Sequence, residues 1–201
     1  LMSIALVILA AGKGTRMQSD LPKVLHEIAG APMLVHTMVA GQSLDPERCI
    51  IIAGHGSDAV RDVAQNHNPG AEIILQTEQL GTGHAVDQAR DALAGFTGNV
   101  IVLYGDSPLI QAETLETLSA SLSHSAVTVL GFEAKDPGRY GRLITNDDNL
   151  KRIVEFKDAS DAEKSMNLCN SGVMAVAAPL LFELLSEIDN KNASGEYYLT
   201  D

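Results

Sequence analysis

Cations, cysteines and long apolar runs are all scarce in this chain. There are 14 Lys and Arg residues against 26 Asp and Glu, a formal net charge of −12 at pH 7. That balance argues against a nucleic-acid partner, whose phosphates demand a basic surface, and means that any phosphorylated ligand must meet cations gathered in one place. The two cysteines, Cys49 and Cys169, stand singly in apolar runs. Neither a disulfide framework nor a paired zinc spacing is available to them, and they read as reduced core residues. No apolar run approaches the ~20 residues that span a bilayer, and no basic leader precedes an apolar core at the first residues. The expectation is a soluble, cytoplasmic protein with no membrane partner. Catalytic clusters are missing too. No Ser-His-Asp or Cys-His arrangement is evident, and the six histidines, His84 among them, show no metal spacing and read as structural or surface groups.

What is present is a core. With 201 residues and 45% hydrophobic content, the chain can bury one sizeable domain. Three of its cations fall close together near the start, in Ile8-Leu9-Ala10-Ala11-Gly12-Lys13-Gly14-Thr15-Arg16-Met17 and Leu21-Pro22-Lys23. The apolar run Ile4 to Leu9 reads as a buried strand that breaks into a glycine-rich loop carrying Lys13, Arg16 and Lys23. Glycines let main-chain N–H groups approach an anion closely, and the three cations supply countercharge. A surface turn with incidental lysines would account for Gly12 and Gly14 alone, but not for three cations in one loop after a buried strand. A Walker loop is excluded, because Gly12-Lys13 is followed by Gly14 and no glycine stands at the required upstream position. A dinucleotide fingerprint fails at Met17, and again at Ala53-Gly54, where an acidic residue should end the second strand.

The chain then alternates. Leu34, Val35, Met38 and Val39 predict a helix, and Cys49 to Ala53, apolar on both faces, a central parallel strand. Ser57 offers a cap to a helix through Val60 and Ala64, and Pro69-Gly70 turns into a strand at Ile73 to Leu75. A helix is expected from Ala85 to Leu93, a strand at Val100 to Tyr104, a helix through Leu115, Leu118 and Leu122, and a strand at Val127 to Leu130. Arg142 to Thr145 and Leu150 to Phe156 read as a hairpin inserted over the sheet. Val173 to Val176 and Leu180 to Leu185 close the pattern with a strand and a helix. The fold class is therefore α/β, a Rossmann-like doubly wound mixed, mainly parallel sheet with a β-hairpin insertion. The polar and aromatic tail after Asn190 shows no terminal element and is expected to fray. In such sheets ligands sit at the carboxyl ends of strands near the reversal of strand order. Three mouths qualify: the glycine-rich loop, Gln76, and Tyr104-Gly105-Asp106. From its position Asp106 reads either as a magnesium ligand at the sheet rim or as a cap before Pro108.

The first loop resembles the signature of the nucleotide-sugar pyrophosphorylases. Further ordered segments sharpen the likeness: Gln76-Thr77-Glu78-Gln79-Leu80-Gly81-Thr82-Gly83-His84-Ala85, Leu103-Tyr104-Gly105-Asp106-Ser107-Pro108-Leu109, Tyr140-Gly141-Arg142, Val154-Glu155-Phe156-Lys157-Asp158-Ala159, Asn170-Ser171-Gly172 and Gly195-Glu196-Tyr197-Tyr198-Leu199-Thr200-Asp201. Together they resemble the N-terminal half of the bacterial bifunctional N-acetylglucosamine-1-phosphate uridylyltransferases. The resemblance implies attack of N-acetylglucosamine 1-phosphate on the α-phosphorus of UTP, giving UDP-N-acetylglucosamine and pyrophosphate. It assigns Arg16 and Lys23 to catalysis and Asp106 to Mg2+. Leu9, Ala10, Ala11, Gly12, Lys13 and Gly14 match nucleotide contacts, Gln76, Gly81 and Thr82 the uridine site, and Tyr104 and Gly105 adjoin the metal residue. Gly141, Glu155 and Asn170 match positions around the acetylated sugar, although from the residues alone Glu155 also reads as an exposed hairpin charge and Asn170 as a turn residue. Ser171 and Phe156 depart from the family, which often carries Thr and a polar or charged residue there.

The same resemblance implies one nucleotidyltransferase domain over 1–201, truncated at its C-terminal end. The family's second metal ligand, an asparagine, falls past Asp201. So does the left-handed β-helix that carries acetyltransferase activity, through which alone a homotrimer would form. Alternatives are a transferase for another sugar 1-phosphate or another nucleotide, a nucleotide-sugar sensor that has lost catalysis, and, more remotely, a dinucleotide-binding oxidoreductase. Gln76 with Gly81-Thr82 favours uracil, and joint retention of Arg16, Lys23 and Asp106 favours an active enzyme.

Overall fold

The computed structural model describes residues 2–12, 14, 17–146 and 149–201. Strand β1 (Ile4–Ala10) enters the core directly, and a 3-10 turn at Lys23–Leu25 leads to a two-stranded ribbon, β2 (Glu27–Ile28) and β3 (Ala31–Pro32). There follow α1 (Met33–Gln42), β4 (Arg48–Ala53), α2 (Ser57–His67), β5 (Glu72–Leu75), α3 (Thr82–Asp87), β6 (Asn99–Tyr104), α4 (Ala112–Ser121) and β7 (Val127–Glu133). The second half carries β8 (Arg142–Asn146), β9 (Asn149–Val154), α5 (Asp161–Lys164), β10 (Leu168–Ala177) and α6 (Ala178–Leu185). The main sheet runs β5-β4-β1-β6-β10-β8-β9, with β7 on the other edge of β10. β5, β4, β1 and β6 are parallel neighbours, and β10 is antiparallel to β6, β7 and β8.

Both faces of this sheet are covered, which is why its inner strands are apolar throughout. Along β1, Leu6 and Ile8 pack with Leu34 and Met38 of α1, Val60 of α2 and Leu115 of α4. Ala5, Val7 and Leu9 point the other way, toward Ala85 and Val86 of α3 and Leu181 of α6. The period-2 alternation of a strand thus divides one run between two cores. Cys49 and Cys169 are free and buried, and burial pushes the Cys49 thiol up to about 11. Strand order reverses between β1 and β6, since β4 and β5 extend one side of β1 and β6 lies on the other. The crevice at their carboxyl ends is where an open α/β sheet takes a ligand.

Several elements depart from the expectations drawn from sequence. The hairpin β8–β9 does not lie over the sheet; it extends it, with Arg142 in register with Cys169 of β10. β10 is long enough to pair β7 on either side of a register shift between Asn170 and Met174, while meeting β8 at Cys169 and β6 from Met174 to Ala177. Ser57 does not cap α2. The N-cap is Gly56, in a left-handed turn at φ 70°, which carries the chain from β4 straight into the helix and leaves Ser57 inside the first turn. α3 begins at Thr82 and ends at Asp87, after which successive turns bury Ala89 and Leu93. Apolar periodicity there reported burial rather than helical hydrogen bonding. The tail past Asn190 has no regular element but is tied down: Tyr197 N–H donates to Leu80 O (2.8 Å), Gly83 N–H to Tyr197 O (2.8 Å) and Leu199 N–H to Thr82 Oγ1 (2.9 Å).

Candidate active site

The mouth of β1 is bound to its neighbours on both sides. Gly105 N–H donates to Leu9 O at 2.9 Å, and Gln79 Nε2 donates to Ala11 O at 2.7 Å. A cavity of about 410 Å³ opens there, bounded by Leu9 to Gly12 and Gly14, by Lys23 and Asp106, and by Gln76, Gly81 and Thr82. The three strand ends expected from sequence therefore do converge on one space. Gly12 has open space where a side chain would begin. Gly14 sits at φ +56° with Lys23 so close that a Cβ would lie 2.8 Å from the Lys23 Cβ, so this glycine is required by both conformation and contact. Lys13 and Arg16 lie outside the described residues.

Lys23 is placed by its neighbours. Pro22 precedes the 3-10 turn, and Val24 and Leu25 anchor that turn in the core, leaving Lys23 half-exposed above it. Its Nζ donates to Asp106 Oδ2 at 2.6 Å. Asp106 follows β6 in a turn closed by Ser107 N–H donating to Tyr104 O (3.0 Å), with the buried Thr37 hydroxyl within 3.3 Å of the Tyr104 carbonyl. Both charges keep about a third of their side-chain surface, so the pair contributes little to stability and opens readily to a charged ligand. Among the described residues no three His, Cys, Asp or Glu side chains converge. A divalent ion held by Asp106 at this rim would need phosphate and water oxygens to complete its shell, a donor set that hard cations accept.

Gln76 is 4% exposed at the carboxyl end of β5. Its backbone N–H donates to Ala53 O, and its side-chain Nε2 meets Gly81 O at 3.2 Å and His84 Nδ1 at 2.9 Å. Gly81, at φ +119°, lies against Tyr197 so closely that a Cβ would overlap the Tyr197 carbonyl. The tail and the 76–82 loop thus form one wall, which Glu196 extends into the cavity.

The sugar-side candidates cluster separately. Asn170 N–H donates to Gly141 O (2.9 Å), and a Cβ on Gly141 would stand 3.4 Å from Glu155 Oε1 and 3.6 Å from the Asn170 Cβ. None of the three lines the smaller cavity. Tyr104 links the two regions: its ring lies against Gly172, where a Cβ would come within 2.6 Å of it. Burial, and then the Glu155 carboxylate, push the Tyr104 phenol up, so it stays a neutral donor. Sequence reasoning assigned no role to Arg142, which is 1% exposed and donates to the carbonyls of Tyr140, Gly138 (3.2 Å) and Lys164 (2.9 Å). This buried guanidinium wraps the 138–141 loop around itself and so delivers Gly141 to Glu155. The pairing of Tyr140-Gly141-Arg142 in the motif was the available signal.

Glu155 accepts from Thr200 Oγ1 at 3.0 Å, yet burial, aided by Asp201 and Asp158, raises its pKa above the ordinary 4.5. A carboxyl that binds its proton more tightly when folded makes the fold lose stability as pH rises from 4.5 through the raised value. Glu155→Gln is accordingly expected to melt higher than the parent at neutral pH, with the difference vanishing below pH 4.5. Melting curves of both proteins across that range test this, and parallel pH profiles would rule it out. Glu155 also opens onto a larger groove, of about 910 Å³, between β7, β9, β10 and α6. That groove does not suit phosphate. Its walls are aliphatic and most of its charges are carboxylates, among them Asp158, Glu187 and Asp189.

Residues 6–193 match the family described as the MobA-like NTP transferase domain. The chain is 62% identical over 200 residues to the bifunctional protein GlmU of Ruegeria sp. (strain TM1040), and 60% identical over 200 residues to that of Ruegeria pomeroyi. In both cases the match takes in the whole of this chain but only 44% of the relative, so the chain spans less than half the length of these curated proteins. Among solved structures, UDP-glucose pyrophosphorylase complexed with UDP-glucose superposes with a TM-score of 0.79 over all of this chain and 85% of the other, at 20% identity. HddC from Yersinia pseudotuberculosis complexed with GMP-PN gives 0.70 over 99% of this chain and 84% of the other, at 25% identity.

Proposed function

Since the chain belongs to the family of MobA-like NTP transferase domains, we propose that it transfers uridylyl from UTP to N-acetylglucosamine 1-phosphate, releasing pyrophosphate. The observation that carries this reading is the convergence of the glycine-rich loop, the Lys23–Asp106 pair and Gln76 on one cavity. The attacking group is a phosphate oxygen and already an anion, so no enzyme nucleophile or strong base is needed. What the protein must do is hold two repelling anions in line and neutralise the charge that grows on the departing pyrophosphate. Lys23, flexible and half-exposed, is the described cation that can follow that charge. Open main chain at Gly12 gives phosphate oxygens access to N–H donors. Gln76 offers its amide to the edge of uracil, and Gly141, Glu155 and Asn170 receive the acetylated sugar beyond Tyr104. Mg2+ bound at Asp106 would supply further neutralisation of the phosphates.

UDP-N-acetylglucosamine is then the product, available to cell-wall synthesis. The two buried, free cysteines agree with a reducing cytoplasm, and among the described residues no helix is long and apolar enough to cross a membrane. Pyrophosphate release with magnesium, measured for UTP, CTP and GTP against N-acetylglucosamine 1-phosphate and glucose 1-phosphate, tests the assignment. The UTP and N-acetylglucosamine 1-phosphate pair should give the highest kcat/KM, and a higher value for any other pair would overturn the substrate assignment.

A further inference from the structure

We propose that His84 is a positioning residue for nucleobase selection. It locks the Gln76 side-chain amide so that only its oxygen faces the nucleotide, and so makes the site choose a base with a ring N–H. The inference rests on the reading that Gln76 meets the base.

The orientation of the amide follows from its partners. A main-chain carbonyl can only accept, so the Gln76 atom 3.2 Å from Gly81 O must be the NH2 nitrogen. That nitrogen's second hydrogen points at His84 Nδ1, 2.9 Å away. Both hydrogens are then engaged. Gln76 Oε1 has no partner among the described residues and is not a buried orphan, although the residue as a whole is 4% exposed; it opens into the cavity that Gln76 lines. Turning the amide over would set two oxygens face to face at Gly81.

His84 must therefore accept at Nδ1 and carry its proton on Nε2. Gln88, one turn along from His84, brings its amide to 3.2 Å from His84 Nε2. Gln88 is less buried than Gln76, and its alternative bond is to the His84 carbonyl at 3.1 Å. Its nitrogen is held by that carbonyl as the Gln76 nitrogen is held by Gly81, so the His84 tautomer is set from the Gln76 side. A direction results: Gln76 Nε2–H donates to His84 Nδ1, His84 keeps its proton on Nε2, and Gln76 Oε1 is left as a pure acceptor. Uracil presents N3–H to such an acceptor. Cytosine, of the same size, presents a bare N3 and would face it lone pair to lone pair. Sites that hydrogen-bond a substrate discriminate sharply against an analogue lacking the matching group.

His84→Phe keeps the ring's bulk and removes the acceptor. Its kcat/KM preference for UTP over CTP should fall about tenfold, through KM for UTP with kcat little changed, the pattern of lost uniform binding. His84→Asn, whose carbonyl can stand near the Nδ1 position, should restore the preference. Imidazole ¹⁵N NMR of the parent protein should report protonated Nε2 and bare Nδ1, a readout independent of how any variant folds. A proton on Nδ1, or unchanged selectivity in a folded His84→Phe, overturns the proposal. Gln76→Leu separates the two readings. If it leaves the UTP preference intact, Gln76 is not at the base and both readings fall; if it abolishes the preference while His84→Phe does not, only the role of His84 is lost.

Discussion

Lys23→Ala is expected to lower kcat by roughly 10²–10³ while changing the affinity for UTP much less, the cost typical of removing one preorganised stabilising group. In the free protein the Lys23 ammonium is already committed to Asp106 at 2.6 Å, so binding the nucleotide exchanges one anionic partner for another and gains little. As pyrophosphate leaves, negative charge accumulates on oxygens the ammonium can follow, and the interaction strengthens only then. An effect confined to the transition state appears in kcat. Because the ion pair is partly exposed, its loss should leave the melting temperature nearly unchanged. Single-turnover rates with UTP calorimetry on the same variant separate the terms; an unchanged kcat would remove Lys23 from the mechanism.

Asp106→Asn should cost at least as much, again roughly 10²–10³ in turnover, for a different reason. Asp106 is the carboxylate that meets Lys23 at this rim, so replacing its charge removes that hold on a cation. Two consequences can be measured apart from turnover. Binding of Mn²⁺ in the presence of UTP, followed by paramagnetic relaxation, should weaken by about tenfold or more, the scale on which neighbours of a metal site act. Raising magnesium should also recover part of the lost rate. Should the variant show parental Mn²⁺ binding and rate, the cation is held elsewhere and Asp106 serves only to position Lys23.

Much of the parallel half of the sheet was legible because its signals are local. Cys49 to Ala53 is apolar on both faces because β4 is covered on both, and Gly12-Lys13-Gly14 after β1 announces a loop that approaches anions. Elements were misread where one residue does two jobs or a distant partner decides. Ser57 is a good cap by type, but the left-handed Gly56 before it took that position. The hairpin β8–β9 was recognised, while its place at the sheet edge depends on β10 extending back to Leu168. The contacts of His84 with two side-chain amides follow from the turn into α3, and no spacing rule connects them.

Residue types near one another in the chain supplied the candidate chemistry on their own: a glycine loop suited to anions, cations to balance them, a carboxylate and a glutamine at strand ends, and enough apolar sequence to bury the strands between. Tertiary structure alone decided orientation. Lys23 and Asp106 are 83 residues apart, and the tail that shapes Gly81 comes from beyond residue 190. The direction in which the Gln76 amide faces depends on a carbonyl and an imidazole set in place by the turn into α3. Hydrogen bonds have direction, and direction is fixed by where a partner sits in space, which residue type alone does not encode.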